Sequence, residues 1–470
     1  MKRYCVITFA LLATTLASPA TAAAQAPAPR PGIWQGQVGT RRVVLTLRGD
    51  SSTLAIPESG QPPARLATLR TPGDSLVATT QYGRATLRAR FSPKDRTLSG
   101  TLSEYSKTLP LVLRPVAAVQ PLQLAQAPRL PLPYQVEDVQ FSSVGDSIHF
   151  GGTLTRPPGP RRVPAVVILS GTGPQTRNGA PGPGGHQPFE VLADYLTRRG
   201  FAVLRTDDRG VGRTTGRYDQ ATTADFARDA LAAVRYLRQR PGIDPGQVGL
   251  LGHSEGGAAA IMAAAASSDV AFVISLAGLL TPGLQALLFQ NAELVRVAPI
   301  PARDKQRQDE VNALLFRTAY HYAKSPELET QLRAAYQGWK TQDDARLLAA
   351  KVTNDHFRFP LESYVRQATG PWYRYHVRFD PAPYLAKVKV PVLALNGDRD
   401  LLVDYHGLAA VAAALRQAGN PDVTTQVLPG LNHLLQPCRT CLPTEYNDLD
   451  ITLAPGVLRA VGDWLARHTK

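Results

Sequence analysis

Residues 248–267 read VGLLGHSEGGAAAIMAAAAS. A short apolar run leads into five residues of turn character, Gly252 to Gly256, and a helix of small residues begins at Glu255. A strand that reverses into a helix within two or three residues needs glycines for the bend and for close approach of neighbouring backbone, and it lifts the residue at the tip, Ser254, out of the sheet. The segment therefore predicts a strand, turn and helix unit with Ser254 presented at its apex.

The surrounding pattern extends that unit into a sheet. "PAVVILSG" reads as a buried strand, "FEVLADYLTRRG" as a helix ending at Gly200, and "FAVLRTD" as a strand. In "ADFARDALAAVRYLRQR", Phe226, Ala230, Val234 and Leu237 share one helix face, and "VAFVISLAG", "VPVLALNG", "VTTQVLPG" and a last helix complete the series. Strand and helix in alternation predict a parallel sheet covered on both faces. Residues 279–385 interrupt it with a mostly helical pattern, in which Val311, Leu314, Leu315, Thr318 and Tyr322 share one face and Leu328, Leu332, Ala335 and Trp339 another. An insertion of that size at the carboxyl edge of a sheet is expected to form a cap over a substrate pocket.

Upstream the period changes from helical to alternating. Between residues 32 and 115, Val43, Leu45 and Leu47 line one strand face. Ala85, Leu87, Ala89 and Phe91 line another, opposite Arg88 and Arg90, and Leu109, Leu111 and Leu113 a third. Turn formers at "RGDSS", "TPGD" and "SPKD" separate the runs, so a small all-β module, barrel-like or sandwich-like, is expected there. A Pro-rich stretch, residues 116–133, reads as the linker to a catalytic domain over 134–470.

Residues 1–24 carry Lys2 and Arg3, an apolar run and small residues around Ala20 to Ala24, the pattern of a cleaved secretory signal that is too short to span a bilayer. Export to the periplasm or beyond is the expectation, and Cys5 would leave with the leader. Cys438 and Cys441 would then form a small disulfide in an oxidising compartment, since neither a zinc ligand set nor a thioredoxin-like context accompanies them. The formal charge of +15 is scattered along the chain, which predicts a solvated basic surface and no nucleic-acid footprint. After the leader the sequence has no apolar segment of about 18 or more residues, so no membrane span is expected.

Gly252-His253-Ser254-Glu255-Gly256 matches G-x-S-x-G. A serine at such an elbow needs a base to take its proton and donors for the developing oxyanion. The expected order places an acid and then a histidine on loops after later strands. "VPVLALNGDRDLLVD" supplies Asp398, Asp400 and Asp404, of which Asp400 is favoured over Asp398, and "VTTQVLPGLNHLLQ" supplies His433. The backbone N–H of Glu255 is the expected first oxyanion donor, and Thr172 in "SGTGPQTRNG", with Gly173 next, the second. Gly173 is also a candidate to line the substrate pocket, and Trp372, Tyr373 and Tyr375 have two readings, lining that pocket or fixing the cap to the sheet. Asp208, Arg209 and His186 are read as loop-bracing residues.

These blocks, with "GGTLTRP", "VLRTDDRGVGRTTG", "GPWYRYHVRFDP", "LALNGDRD" and "LNHLLQ", resemble the α/β-hydrolase superfamily from about Tyr134 onward, and more narrowly the exported bacterial carboxylesterases related to the serine-aminopeptidase-like group. The resemblance implies a mostly parallel α/β-hydrolase sheet with a helical cap, preceded by a small β-rich domain. It also implies a triad of Ser254, Asp400 and His433 and a site needing no metal or organic cofactor. Thr214 stands where related chains commonly have serine, and the cysteine pair behind His433 has no counterpart in the pattern. The expected activity is cleavage of a small carboxylic ester through an acyl-enzyme. The rivals are an aminopeptidase, amidase or thioesterase using the same triad, and an inert protein whose β-module binds envelope glycan or lipid.

Overall fold

A computed structural model describes residues 29, 31–57, 63–81, 85–104, 107–120, 124–143, 145, 147–179 and 185–469. The leader reading and Cys5 lie outside the described residues.

The N-terminal strands among the described residues are β1 (Gly32–Val38), β2 (Arg41–Leu47), β3 (Thr53–Ala55), β4 (Ala64–Arg70), β5 (Ser75–Thr80), β6 (Ala85–Ser92), β7 (Thr97–Glu104) and β8 (Lys107–Val116). Each bonds to the next, and β8 returns antiparallel to β1, closing a barrel. Alternation is the cause: in β6 Ala85, Leu87 and Ala89 are buried while Arg88 and Arg90 face out, and in β8 Leu111 and Leu113 are buried between exposed neighbours. One apolar face per strand suffices for a closed barrel, and closure leaves no free edge.

The second sheet comprises β9 (Gln135–Ser142), β10 (His149–Arg156), β11 (Val163–Leu169), β12 (Ala202–Thr206), β13 (Ile243–His253), β14 (Val273–Leu276), β15 (Val392–Gly397) and β16 (Val423–Leu428). Their order is β16-β15-β14-β13-β11-β12-β10-β9. Strands β11 to β16 run parallel to their neighbours within that set, and β9 and β10 form an antiparallel edge joined to β12.

Helices α1 (Pro188–Arg198), α2 (Thr223–Arg238) and α3 (Glu255–Ala266) connect the first parallel strands, and α4 (Gly283–Val297), α5 (Ala302–Tyr322), α6 (Leu328–Ala349), α7 (Leu361–Ala368), α8 (Pro371–Val377) and α9 (Ala382–Leu385) lie between β14 and β15. α10 (Gly407–Gln417) and α11 (Pro455–His468) finish the chain. One face of the sheet is covered by apolar residues of α2, α3 and α10, the other by those of α1 and α11, including Trp464. The chain steps from β11 out to β12 and then back past β11 to β13, so a crevice opens at the carboxyl ends of β11 and β13, where open α/β sheets place their ligands.

Inside α4 to α8, Val311, Leu315, Leu328, Leu332, Trp339, Val365 and Tyr373 make a separate core. It is tied by one buried cation. Arg307, 4% exposed, forms bidentate bonds to Asp343, 2% exposed, and pairs with Asp355 and Asp304, while its guanidinium lies 4.3 Å from the Phe357 ring centroid. The guanidinium holds the Asp355 carboxyl well below the usual range. Arg307→Ala would leave Asp343, among the described residues, with only the half-exposed Arg346, 3.3 Å away, as a partner. The expected loss is about 3 kcal/mol, seen as a lower urea midpoint.

Candidate active site

The turn between β13 and α3 has the geometry its sequence requires. Ser254 sits at φ 54°, ψ −120°, a region that costs a non-glycine residue on the order of 1–3 kcal/mol. Its N–H donates to Leu276 O (2.9 Å), and its carbonyl accepts from Gly257 N (2.9 Å) and Leu279 N (3.0 Å). A Cβ on Gly252 would stand 2.0 Å from Gly256 O, and one on Gly256 2.5 Å from Ser170 O. The two flanking glycines are thus places where backbone meets backbone.

Beyond β15 and β16, two loops bring an acid and an imidazole together. The His433 Nδ1–H donates to Asp400 Oδ2 at 2.9 Å, and both side chains are buried. The other carboxylate oxygen, Oδ1, accepts from Leu402 N (2.8 Å) and Val403 N (3.0 Å), so the carboxylate is fixed before it meets the ring. Asp398 takes a different part: its Oδ1 accepts from Gly430 N at 2.7 Å, joining the acid loop to the histidine loop. The histidine loop is braced by fully buried Asn432, whose Oδ1 accepts from Leu434 N and Gln436 N, both at 3.0 Å.

His253, next to the serine, links this pair to the elbow. Its Nε2–H donates to the His433 carbonyl at 2.9 Å, and the two ring centroids are 4.9 Å apart. Burial and the neighbouring His433 push the His253 imidazole down to about 4, so it is neutral at pH 7. Among the described residues the Ser254 hydroxyl makes no hydrogen bond, and neither does His433 Nε2. Such bonds commonly tighten only with substrate present.

After β11, the loop starting at Ser170 crosses the elbow: a Cβ on Gly171 would lie 3.0 Å from that of Ser254. Gly173 N–H donates to the Tyr218 hydroxyl at 2.7 Å. The N–H groups of Thr172 and Glu255 have no partner among the described residues. Of the two candidates on this loop, Thr172 therefore keeps an open donor and Gly173 does not.

Two acids hold the loop. Asp208 accepts from Ser170 Oγ (2.5 Å) and Gln175 N (2.8 Å), while Asp207 takes a bidentate bond from Arg177, which also reaches Asp138. Burial, assisted by the nearby Glu255 and Asp207, pushes the Asp208 carboxyl up to about 7 against the pull of its two donors. A carboxyl that holds its proton in the folded state beyond the unfolded value stabilises the fold at low pH, and that contribution fades as pH rises through the folded pKa. The thermal midpoint of Asp208→Asn should therefore lack a decline that the parent shows between about pH 4 and about pH 7.

The Glu255 side chain is a group that sequence reasoning missed. It is buried, and its carboxylate accepts from Thr172 Oγ1 (2.9 Å), Thr223 Oγ1 (2.6 Å) and Trp372 Nε1 (2.7 Å). Burial drives its pKa up and the three donors draw it back. Its position in the first turn of α3, where an acid meets the positive helix end, was the one available signal. Tyr218 had none.

The three aromatic candidates separate. Trp372 reaches Glu255 and stacks on His376 with centroids 4.6 Å apart. Tyr373 belongs to the core formed by α4 to α8, its hydroxyl 3.1 Å from that of Tyr364. The Tyr375 hydroxyl lies 3.5 Å from that of Tyr384 and 3.9 Å from Met262 Sδ. Arg209 pairs with Asp229 at 2.7 Å, and His186 is buried between Thr452 Oγ1 and Leu449 O, both structural arrangements. Cys438 and Cys441 are joined as a disulfide. Glu445, which approaches them, accepts from the N–H groups of Arg439, Thr440 and Cys441.

The strand-to-helix turn at Ser254, the acid-histidine pair after later strands and the two open backbone donors lie in the arrangement expected of a hydrolase. The chain belongs to the alpha/beta hydrolase fold family, whose model matches residues 164–437. It is 25% identical over 305 residues to Esterase EstD of Thermotoga maritima, covering 65% of this chain and 62% of that protein. It is 38% identical over 89 residues to Thiohydrolase aneE of Aspergillus aculeatus, covering 19% of this chain and 28% of that one. The chain thus spans less than two thirds of the length of either curated relative. Among solved structures, the esterase Pf2001 of Pyrococcus furiosus superposes with a TM-score of 0.42 at 17% identity, covering 73% of this chain and 98% of that one. No helix among the described residues is long and apolar enough to cross a membrane.

Proposed function

We propose that the protein is an exported serine hydrolase of carboxylic esters, working through an acyl-enzyme on Ser254. The observation that carries this reading is the buried Asp400–His433 hydrogen bond, held to the elbow by the His253 bond to the His433 carbonyl. His433 Nε2 accepts the hydroxyl proton as Ser254 Oγ adds to the ester carbonyl, and Asp400 stabilises the imidazolium and fixes the ring tautomer. The N–H groups of Thr172 and Glu255 receive the oxyanion. Collapse breaks the ester C–O bond, and His433 returns the proton to the departing alcohol. Water then adds to the acyl-enzyme with the same proton transfers, releasing the acid and restoring Ser254.

The acids near the elbow support an ester over an α-amino amide. Glu255, Asp208 and Asp400 are each committed to donors within the protein, whereas an aminopeptidase needs a carboxylate for the substrate amine. Thioesters share the chemistry, and a thiohydrolase stands among the relatives. Aryl ester, thioester and aminoacyl amide substrates, compared at equal concentration, test the reading. We expect kcat/KM for the ester to exceed that for the amide by about 100-fold or more, because amide cleavage must protonate a worse leaving group; a preference for amide would reject it. Failure of the purified protein to react with a fluorophosphonate would point instead to an inert binding protein. For the barrel, a glycan or lipid ligand would be sought at the cavity of about 880 Å³ edged by Trp34, Phe91, Arg96 and Arg114.

A further inference from the structure

Glu255 occupies a position where a carboxylate is costly. It is 1% exposed, and among the described residues no cation forms an ion pair with it. A buried ionised carboxyl without a counter-charge costs several kcal/mol unless its lone pairs are filled. They are filled here by three neutral donors from three separate elements: Thr172 on the loop after β11, Thr223 at the start of α2, and Trp372 on α8. Plain packing at the back of the elbow would need only volume. Three converging donors fix positions instead, and one of them belongs to the residue whose backbone N–H stands open beside Ser254.

Oxyanion donors act only when held about 2.7–3.1 Å from the place where charge develops. The loop carrying Thr172 is anchored at its ends by Asp208, which grips Ser170 and Gln175, and at Gly173 by Tyr218. At Thr172 itself the side-chain anchor is Glu255. Trp372 donates to the same oxygen, Oε1, as Thr223, so a shift of α8 acts on the carboxylate that restrains Thr172.

We propose that Glu255 is a positioning residue: resting on the esterase reading above, its buried carboxylate sets the oxyanion hole through the Thr172 hydroxyl and couples the hole to the cap through the Trp372 indole. Its backbone N–H supplies one donor of the hole, and its side chain places the other.

The test uses the full chain, a short-chain aryl ester, thermal midpoints and fluorophosphonate labelling. Thr172→Val keeps the N–H and the side-chain shape and removes only the anchor. Glu255→Leu keeps approximate volume and removes all three acceptor contacts. Glu255→Gln can keep a bond at both ends, its carbonyl toward Thr223 and Trp372 and its NH2 toward the Thr172 hydroxyl. We expect Thr172→Val and Glu255→Leu to lower kcat about tenfold or more with KM within about twofold, and Glu255→Gln to restore kcat to within about threefold of the parent. The double variant Thr172→Val/Glu255→Leu should be no slower than Glu255→Leu alone, because both changes cut one connection. Thr172→Val at full kcat, or losses that multiply in the double variant, would overturn the proposal. Should Glu255→Leu fail to fold, Thr172→Val decides. A parent that neither labels nor turns over ester overturns the esterase reading, and this proposal with it. A parent that does both, with Thr172→Val unimpaired, overturns the proposal alone.

Discussion

Ser254→Ala is expected to lower ester turnover by about 10⁴-fold or more while leaving the thermal midpoint nearly unchanged. The two halves of this expectation rest on different observations. On the proposed mechanism, turnover falls because the substitution removes the atom that forms the acyl bond, leaving only direct attack by water, aided by the Thr172 and Glu255 N–H groups. Stability is kept because the hydroxyl has no hydrogen bond among the described residues, so its loss orphans no donor or acceptor. Alanine also meets the φ of 54° with the same Cβ as serine, so the backbone strain is unchanged. Hydrolysis and fluorophosphonate labelling, measured beside a melting curve, check both. A folded variant that keeps its turnover would remove Ser254 from the mechanism.

How far the site was legible beforehand depended on whether a residue's role is local. The elbow could be read because Gly252, Ser254 and Gly256 act within one turn, the acid because it follows the apolar run of β15, and the histidine because the β-branched segment VTTQVL ends at the Pro-Gly turn just before it. The Glu255 side chain could not, since its donors come from residues 83, 32 and 117 positions away. Nor could one helix turn of aromatics be sorted by inspection. Successive helical residues point about 100° apart, and that rotation sends Trp372 to Glu255 while Tyr373 enters the core formed by α4 to α8. The β9 and β10 edge was missed for another reason. β9 is largely exposed and carries Glu137 and Asp138, which salt-bridge to Arg240 and Arg177, so the alternation that betrays a half-buried strand is absent from it. Barrel strands β6 and β8, by contrast, show that alternation plainly.

On the proposed mechanism, Asp400→Asn separates the orienting acid from its neighbour Asp398 and is expected to lower kcat by about 10³–10⁴-fold. The direction follows from which oxygen is already fixed. Leu402 N and Val403 N both donate to Oδ1, so an asparagine must keep its carbonyl there and turn its NH2 toward His433. The opposite orientation would set the NH2 against two N–H donors. An NH2 beside Nδ1 forces that nitrogen to accept, which moves the ring proton to Nε2. A proton on Nε2 cannot be exchanged for that of Ser254, so the base is disabled while packing is preserved. Asp398→Asn retains a carbonyl able to accept from Gly430 N, and kcat should stay within about fivefold of the parent because no proton of the reaction depends on it. Measuring kcat, KM and thermal midpoint for both variants distinguishes the two carboxylates. If Asp398→Asn were the inactive one, the His433 ring would have to turn to a different acid during turnover, and the loop tie between Asp398 and Gly430 would be the bond that breaks to allow it.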